Sequence, residues 1–256
     1  MRWDPQQYAR YAGERGRPFV DLVNRVGADA PRRAVDLGCG PGELTALLAQ
    51  RWPDAIVEGI DSSPEMIEAA AARQGGRLSF RVGDVRRWTP APDTDVIVTN
   101  ATLQWVPEHR ELLASWSAAL HPGGWLAMQV PGNFGAPSHT LMRSLAESAR
   151  WRDALHDVLR HDDAVAEPGD YANLLLAAGL AADVWETTYL HVLPGADPVL
   201  DWVRGTGLRP VLAALSDTDA ADFSAEYAAL LRAAYPRTEA GTLFAFRRIF
   251  AVGHRE

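Results

Sequence analysis

The sequence predicts an α/β fold built on a seven-stranded, mostly parallel sheet whose last strand is antiparallel. The first observation is a glycine-rich turn, Gly38 to Gly42, which joins an apolar stretch to a helix-forming one. The second is the regular alternation of strand and helix patterns over 33–130, typical of parallel strands with right-handed crossovers. The third is a change of rhythm after Val130, where several helical patterns predict a lid.

The glycine-rich turn lies in the sequence Ala-Val-Asp-Leu-Gly-Cys-Gly-Pro-Gly at 34–42. It predicts a buried strand, a tight turn and a helix over 43–51. Glycine lacks a Cβ, so a ligand can approach the backbone at Gly38 and Gly40, beside the start of the helix. This stretch alone leaves a plain strand-to-helix turn as an equal alternative.

Polar residues follow three further predicted strands. The strand over 55–60 ends in Asp61, the strand over 78–82 is followed by Asp84, and the strand over 94–99 ends in Asn100. The carboxyl ends of parallel strands meet at one edge of a sheet. A carboxylate about twenty residues beyond the glycines can accept hydrogen bonds from both hydroxyls of a ribose. Together the strand ends predict a nucleoside site.

Five other residues are candidates for contact with a ligand because they flank this edge. Gln104 and Trp105 follow the fourth strand, where a ligand is a better explanation than core packing. Met66 fits either an adenine face or the core. Tyr8 and Arg17 could close over a ligand from the N-terminal segment, although Tyr8 equally suits packing on the sheet.

The remaining patterns place helices around the sheet. Ser62-Ser63-Pro64 predicts a serine N-cap with proline in the first helical turn, and Pro18 predicts the start of a helix over 19–26. Later elements are predicted as helices over 65–73, 107–120, 138–150, 152–160, 169–178 and, in two or three pieces, 198–235, and as strands over 125–130, 182–193 and 243–252. We expect one domain over 1–256, with an N-terminal cap (1–29) and lid segments over 133–181 and 195–241.

Composition narrows the functional classes. The net charge of −8 over 256 residues argues against a general nucleic-acid-binding protein. The sole cysteine, Cys39, cannot form an internal disulfide, which fits a reducing cytoplasm. The sequence has no long apolar run and no signal-peptide pattern, so we expect neither export nor membrane insertion. Its 7 histidines show no metal-binding spacing, and no metal is expected.

The motifs together resemble the Rossmann-like class I methyltransferases that use S-adenosylmethionine (SAM). A dehydrogenase usually shows Gly-x-Gly-x-x-Gly at the turn instead. The resemblance implies that Asp84 accepts a hydrogen bond from the adenine amino group and that the Val85 backbone N–H donates to an adenine ring nitrogen. The SAM-binding residues it implies are Asp36, Gly38, Gly40, Asp61, Ser62, Met66, Asp84, Val85 and Asn100.

Segments along the whole chain are similar to the trans-aconitate 2-methyltransferase family. Those in the second half are the specific ones, because a general SAM-dependent enzyme need not carry them; they lie at 129–133, 139–143, 185–189, 202–210 and 243–250. The similarity implies a cytoplasmic enzyme that methylates one carboxylate of trans-aconitate or a related small polycarboxylic acid, with S-adenosylhomocysteine as the second product.

A carboxylate is already ionised near neutral pH, so this chemistry needs no general base. The enzyme must orient the substrate and exclude water. We therefore expect no acid–base residue, and expect Gln104, Trp105 and Tyr8 to position the reacting groups. Arginine and amide side chains suit the carboxylates of the acid. The candidate substrate residues are Arg17, Asn133, Arg143, Trp202, Arg209, Tyr235 and Arg247.

Three alternatives stay open from the sequence. The chain could be a SAM-dependent methyltransferase for another small acceptor, a nucleoside-binding protein without catalytic activity, or, remotely, an NAD-dependent dehydrogenase. We expect no nucleic-acid or membrane partner. The oligomeric state is left open, and a monomer is compatible with the sequence.

Overall fold

The computed structural model describes residues 12–159 and 164–256. The first half alternates helices and strands as the sequence predicts. In chain order its elements are α1 (Ala12–Val23), β1 (Arg33–Leu37), α2 (Glu43–Arg51), β2 (Ile56–Asp61), α3 (Pro64–Ala70), β3 (Leu78–Val82), β4 (Thr94–Asn100), α4 (His109–Ala119) and β5 (Trp125–Pro131), with short 3₁₀ helices at Ala71–Arg73, Val85–Arg87 and Leu103–Trp105.

The second half is mostly helical between two long strands. Its elements are α5 (Pro137–Ala146), α6 (Arg152–Leu155), α7 (Pro168–Ala177), β6 (Ala181–Leu193), α8 (Pro198–Arg204), α9 (Arg209–Ala214), α10 (Asp217–Ala234), β7 (Arg237–Thr238) and β8 (Gly241–His254).

The strands form one mixed sheet in the order β3-β2-β1-β4-β5-β8-β6, with β7 paired to β8. The pairs β1–β2, β1–β4, β2–β3 and β4–β5 are parallel. The last strand runs antiparallel to β5, because the Arg255 backbone after β8 exchanges hydrogen bonds with Gly123 and Gly124 before β5. The predicted fold class, including the antiparallel last strand, is confirmed, and β7 adds a short hairpin to it.

Burial of the central strands follows from their sequences. All seven residues of β4 are buried, which fits a parallel strand covered on both faces. Helix α3 begins as predicted: Ser63 is its N-cap, the Ser63 hydroxyl accepts from the Met66 N–H, and Pro64 follows at the first helical position. These elements bring the carboxyl ends of the first four strands to one edge of the sheet.

The chain divides into two compact units. The first contains the described residues up to Val130, Val165–Glu186 and Ile249–Glu256, and the second contains the described residues of Pro131–Ala164 together with Thr187–Arg248. The predicted single domain with its cap (1–29) and lid segments stays a prediction. Among the described residues, no helix is long and apolar enough to cross a membrane.

Three predicted helices have wrong bounds. Helix α1 starts at Ala12 and contains Pro18, although the ring of proline removes one backbone hydrogen bond there. Its buried side chains, among them Phe19 and Leu22, supply packing that overrides this local cost.

The other two errors lie in the second unit, where α5 ends at Ala146 and α6 at Leu155. Extended backbone at His156 (ψ 129°) and a positive φ of 59° at Asp157 stop α6. The helix α5 has its C-cap at Glu147, and beyond it the exposed Arg150 forms ion pairs with Asp222 and Glu226 of α10.

Candidate functional site

A pocket of about 380 Å³ lies in the first unit, at the carboxyl ends of its parallel strands. Ligand pockets of this size are common for small molecules and cofactors. Its walls come from the ends of β1, β2, β3 and β4, the edge at which the sequence predicts a nucleoside. The lining residues are Gly38, Gly40, Pro41, Asp61, Ser62, Met66, Asp84, Val85, Arg86, Asn100, Ala101, Thr102, Trp105, Val106 and Pro107.

The glycine turn has the backbone that only glycine adopts easily. Gly38, Gly40 and Gly42 have φ angles of 82°, 54° and 79°. A Cβ at Gly38 would lie 1.9 Å from the Thr102 hydroxyl oxygen, and one at Gly42 would lie 2.6 Å from the ring of Phe80. The side chains of Thr102 and Phe80 therefore pack against the turn at Gly38 and Gly42, while Gly40 has open space beside it.

Asp61, at the end of β2, organises the turn. Its carboxylate accepts from the backbone N–H of Gly40 at 2.9 Å and from that of Ser63 at 2.9 Å. These two bonds tie the glycine turn to the start of α3. A carboxylate has about four acceptor positions, so the side chain can still accept from a ligand.

Asp84, which follows β3, already forms hydrogen bonds with the nearby residue Arg86. It accepts from the Arg86 backbone N–H at 2.9 Å, and the Arg86 guanidinium contacts both carboxylate oxygens. Hydrogen bonds from Arg86 lower the pKa of Asp84. Val85 is buried beside it. Arg86 was not predicted from the sequence as a pocket residue, and it already occupies both Asp84 oxygens; the adenine contact of Asp84 stays a prediction.

The end of β4 and the segment after it contain buried acceptors without a partner among the described residues. The Oδ1 atom of Asn100 and the Oε1 atom of Gln104 make no hydrogen bond within the described residues, although both side chains are buried. Gln104 donates through Nε2 to the carbonyl of Ala101, which has a φ of 54° despite its Cβ. Strained backbone and unpaired buried atoms at a pocket favour a ligand-binding role.

A smaller cavity of about 50 Å³ shares Gly38, Gly40, Pro41 and Asn100 with the main pocket and reaches Asp36. Asp36 is 2% exposed and accepts from the Thr45 hydroxyl at 2.6 Å. Burial raises the pKa of Asp36 to about 7, and nearby Asp61 adds to the shift. This carboxylate therefore changes charge near neutral pH.

Six of the seven candidate substrate residues lie in the second unit. Two of them flank the turn before α5: the Asn133 carbonyl accepts there from the Ala136 N–H, and the Arg247 carbonyl accepts from the Gly132 N–H at 2.9 Å. Asn133 is 1% exposed, and neither polar atom of its side-chain amide has a partner among the described residues. Such an amide is costly to bury unless a ligand satisfies it.

The other candidates of this unit lie around α5 or within its core. The Tyr235 hydroxyl accepts from the Ser138 N–H at 3.0 Å, at the first turn of the helix. Arg143, near its other end, lines a separate cavity of about 190 Å³. Arg209 opens α9 and is half-buried. Trp202 is 1% exposed and stacks on His191 at 4.9 Å.

Two predicted residues belong to the N-terminal segment. Arg17 is an exposed residue of α1, and Tyr8 lies outside the described residues. Pattern reasoning missed Thr102, Arg86 and Val106, because nothing in their local sequence marks them as pocket residues. In the described ranges, no group of three or more His, Cys, Asp and Glu could hold a metal ion.

Comparisons with known proteins match part of the first unit by a family model and nearly the whole chain by relatives. Residues 34–124 match a family model described as a methyltransferase domain. The chain is 60% identical to a trans-aconitate 2-methyltransferase of Streptomyces avermitilis over 262 residues, covering 99% of this chain and 97% of that protein. It is 59% identical to the enzyme of that name from Streptomyces coelicolor, covering 99% and 86%.

One solved structure of another protein supports the fold of this chain and nothing more. Phosphoethanolamine N-methyltransferase 2 of Haemonchus contortus, in complex with SAM, superposes with a TM-score of 0.56 at 15% identity. The match covers 98% of this chain and 57% of that one. At this identity the likeness supports the methyltransferase fold and does not extend to the acceptor.

Proposed function

The chain belongs to the trans-aconitate 2-methyltransferase family, and we propose that it transfers a methyl group from SAM to one carboxylate of trans-aconitate or of a related small polycarboxylic acid. The products are a monomethyl ester and S-adenosylhomocysteine. The observation that carries the proposal is the 60% identity over 99% of the chain. This identity includes the second unit, which a general methyltransferase need not share.

The residues around the main pocket fit SAM. The glycine turn leaves open backbone, Asp61 retains acceptor positions for ribose hydroxyls, and the buried Asn100 Oδ1 needs a donor. Met66 and Val85 add apolar surface. When bound, SAM supplies a methyl group activated on a sulfonium. The remaining site residues, Asp36, Ser62 and Asp84, surround this pocket or the small cavity next to it.

The acceptor needs orientation more than activation. A carboxylate is deprotonated near pH 7, so no side chain has to remove a proton from it. Its oxygen must be held in line with the methyl group, with water excluded. We assign this positioning to Trp105, which lines the pocket, and to Gln104, whose buried Oε1 has no partner within the described residues. Tyr8 stays a prediction.

We assign recognition of the acid to the second unit. We propose that Arg143, Arg209 and Arg247 bind substrate carboxylates and that Asn133 contributes its buried amide. A net charge of −8 repels a polyanion at long range, so local cations must supply the attraction. Arg17, Trp202 and Tyr235 complete the proposed set.

The test is methyl transfer from labelled SAM to a panel of acids. The panel contains trans-aconitate, its cis isomer and a dicarboxylate that lacks the third carboxyl group. We expect ester formation to be fastest with trans-aconitate. Transfer to none of the acids, with SAM still bound, would instead favour a methyltransferase for another acceptor. Failure to bind SAM would contradict the enzyme assignment itself.

Alanine variants test the arginines. Loss of one desolvated charged contact costs about 2–5 kcal/mol, so each variant should lose roughly thirty-fold or more in kcat/KM. SAM affinity should stay near wild type. Arg204→Ala is the matched control, because Arg204 is an exposed arginine of α8 outside the proposed set. Near-wild-type turnover in Arg143→Ala, Arg209→Ala and Arg247→Ala together would overturn this part.

A cytoplasmic location is part of the proposal, and a sequence with a single cysteine, the free and buried Cys39, fits a reducing compartment. The absence of a nucleic-acid or membrane partner stays a prediction, and the oligomeric state stays open.

A further inference from the structure

One wall of the main pocket is formed by Trp105, Val106 and Pro107, which we call the 105–107 wall. It begins at the last residue of a single 3₁₀ turn and ends before α4, so little regular structure holds it. The Val106 carbonyl is its anchor. That oxygen accepts from the His109 backbone N–H at 3.1 Å and from His109 Nδ1 at 2.9 Å.

The bonding pattern fixes the proton positions on His109. A carbonyl can only accept, so Nδ1 carries the hydrogen. On the other side of the ring, Nε2 lies 3.0 Å from the Tyr171 hydroxyl. That hydroxyl oxygen accepts from the Ala166 N–H at 3.1 Å, which leaves its own hydrogen to donate to Nε2. A neutral imidazole with hydrogen on Nδ1 therefore satisfies every atom of the chain from Ala166 to Val106.

The pair is shielded from water. His109 is 2% exposed and Tyr171 is 1% exposed. Burial raises the pKa of Tyr171 to about 12, so its hydroxyl remains a donor at neutral pH. Both residues lie within the first unit, where α4 packs on α7 and Val106 shares an apolar core with Tyr171. The contact joins residues 62 positions apart in sequence.

We propose that His109 and Tyr171 are positioning residues, which hold the Val106 carbonyl and thereby set the 105–107 wall for SAM binding. The assignment of the ligand rests on the proposed function; the positioning itself does not. Removal of the Tyr171 hydroxyl leaves Nε2 without a donor in a dry environment, and the imidazole loses the contact that orients it. The wall then becomes more mobile although no pocket residue has changed.

Tyr171→Phe tests the proposal, with Tyr227→Phe as the matched control. Tyr227 is also fully buried, but its hydroxyl donates to the Ser138 carbonyl in the second unit. In the ligand-free protein, we expect Tyr171→Phe to accelerate amide hydrogen exchange at 101–108 selectively, and Tyr227→Phe to leave those amides unchanged. Equal exchange at 101–108 in the two variants would overturn the positioning role.

Calorimetry measures how these substitutions change the affinity for the ligand. We expect Tyr171→Phe to weaken S-adenosylhomocysteine binding about ten-fold and to raise the KM for SAM by a larger factor than it lowers kcat, whereas Tyr227→Phe lowers only stability. His109→Asn keeps a donor near the position of Nδ1 and should bind better than His109→Leu.

Equal affinity in Asn and Leu variants, with Tyr171→Phe at wild-type affinity, would refute the effect on SAM. A wild-type protein that binds neither SAM nor S-adenosylhomocysteine would refute the proposed function, while the exchange result would still decide the positioning.

Discussion

Substitution of Gly38 by alanine should damage the glycine turn more than its small size suggests. Two separate costs add at this position. The φ of 82° is a left-handed conformation, which costs an L-residue about 1–2 kcal/mol. The new Cβ would also lie 1.9 Å from the Thr102 hydroxyl oxygen and 2.7 Å from the Thr102 Cβ. Overpacking of this kind costs about 1–3 kcal/mol.

Together these costs give an expected loss of about 2–5 kcal/mol in the free energy of unfolding. Denaturant titration measures it, in the presence and absence of S-adenosylhomocysteine. Gly76→Ala is the matched control, because Gly76 has a φ of 57° but a Cβ added there would meet no atom within 4 Å. It should lose only the conformational part, about 1–2 kcal/mol.

A double variant separates the two costs. Thr102→Gly removes all three atoms that crowd the new methyl group, so Gly38→Ala in that background should cost no more than Gly76→Ala. The reasoning fails if Gly38→Ala and Gly76→Ala are equally destabilising in the wild-type background. It also fails if Thr102→Gly does not reduce the cost of Gly38→Ala.

Two further predictions concern carboxylates. The Asp61 carboxylate accepts from two backbone N–H groups, and Asp61→Asn leaves only one acceptor oxygen for them. Calorimetry should show SAM binding weakened ten-fold or more, a loss of about 1.5–3 kcal/mol. Glu58→Gln on the same strand is the control and should leave SAM binding unchanged. Asp36 has a raised pKa of about 7, and a cation beside it favours the ionised form, so SAM affinity should rise as pH increases from about 6 to 8 and fall below the pKa. Asp36→Asn should flatten this profile; an unchanged profile would assign the titration to another group.

The fold could be predicted where the signal is local. The bounds of α2 and β3 match the sequence prediction, because helix periodicity and strand composition act over a few residues. The start of α1 could not be predicted in this way, since burial of Phe19 and Leu22 outweighs the signal from Pro18.

The candidate site likewise contains residues that could be predicted from the sequence and residues that could not. Strand ends with glycines or carboxylates, such as Gly38, Asp61 and Asp84, are visible in the sequence and do surround one pocket. The role of Thr102 could not be predicted, because Thr102 packs against Gly38, which lies 64 positions away in sequence and has no Cβ. His109 and Tyr171 are equally hidden: each alone resembles an ordinary core residue, and only their contact ties them to the pocket wall.

The unpaired buried atoms argue for the charges of the two ligands. At 100–104, beside the main pocket, the unpaired buried atoms are the acceptors Asn100 Oδ1 and Gln104 Oε1, and a donor such as the ammonium group of SAM can satisfy them. In the second unit, both polar atoms of the Asn133 amide are unpaired: a carboxylate can satisfy Nδ2, while Oδ1 needs a separate donor, and the same unit holds the three candidate arginines. Each unpaired buried group costs about 1–3 kcal/mol until a partner binds it. A cationic methyl donor can satisfy the two acceptors at 100–104, and an anionic acceptor substrate can satisfy Asn133 Nδ2.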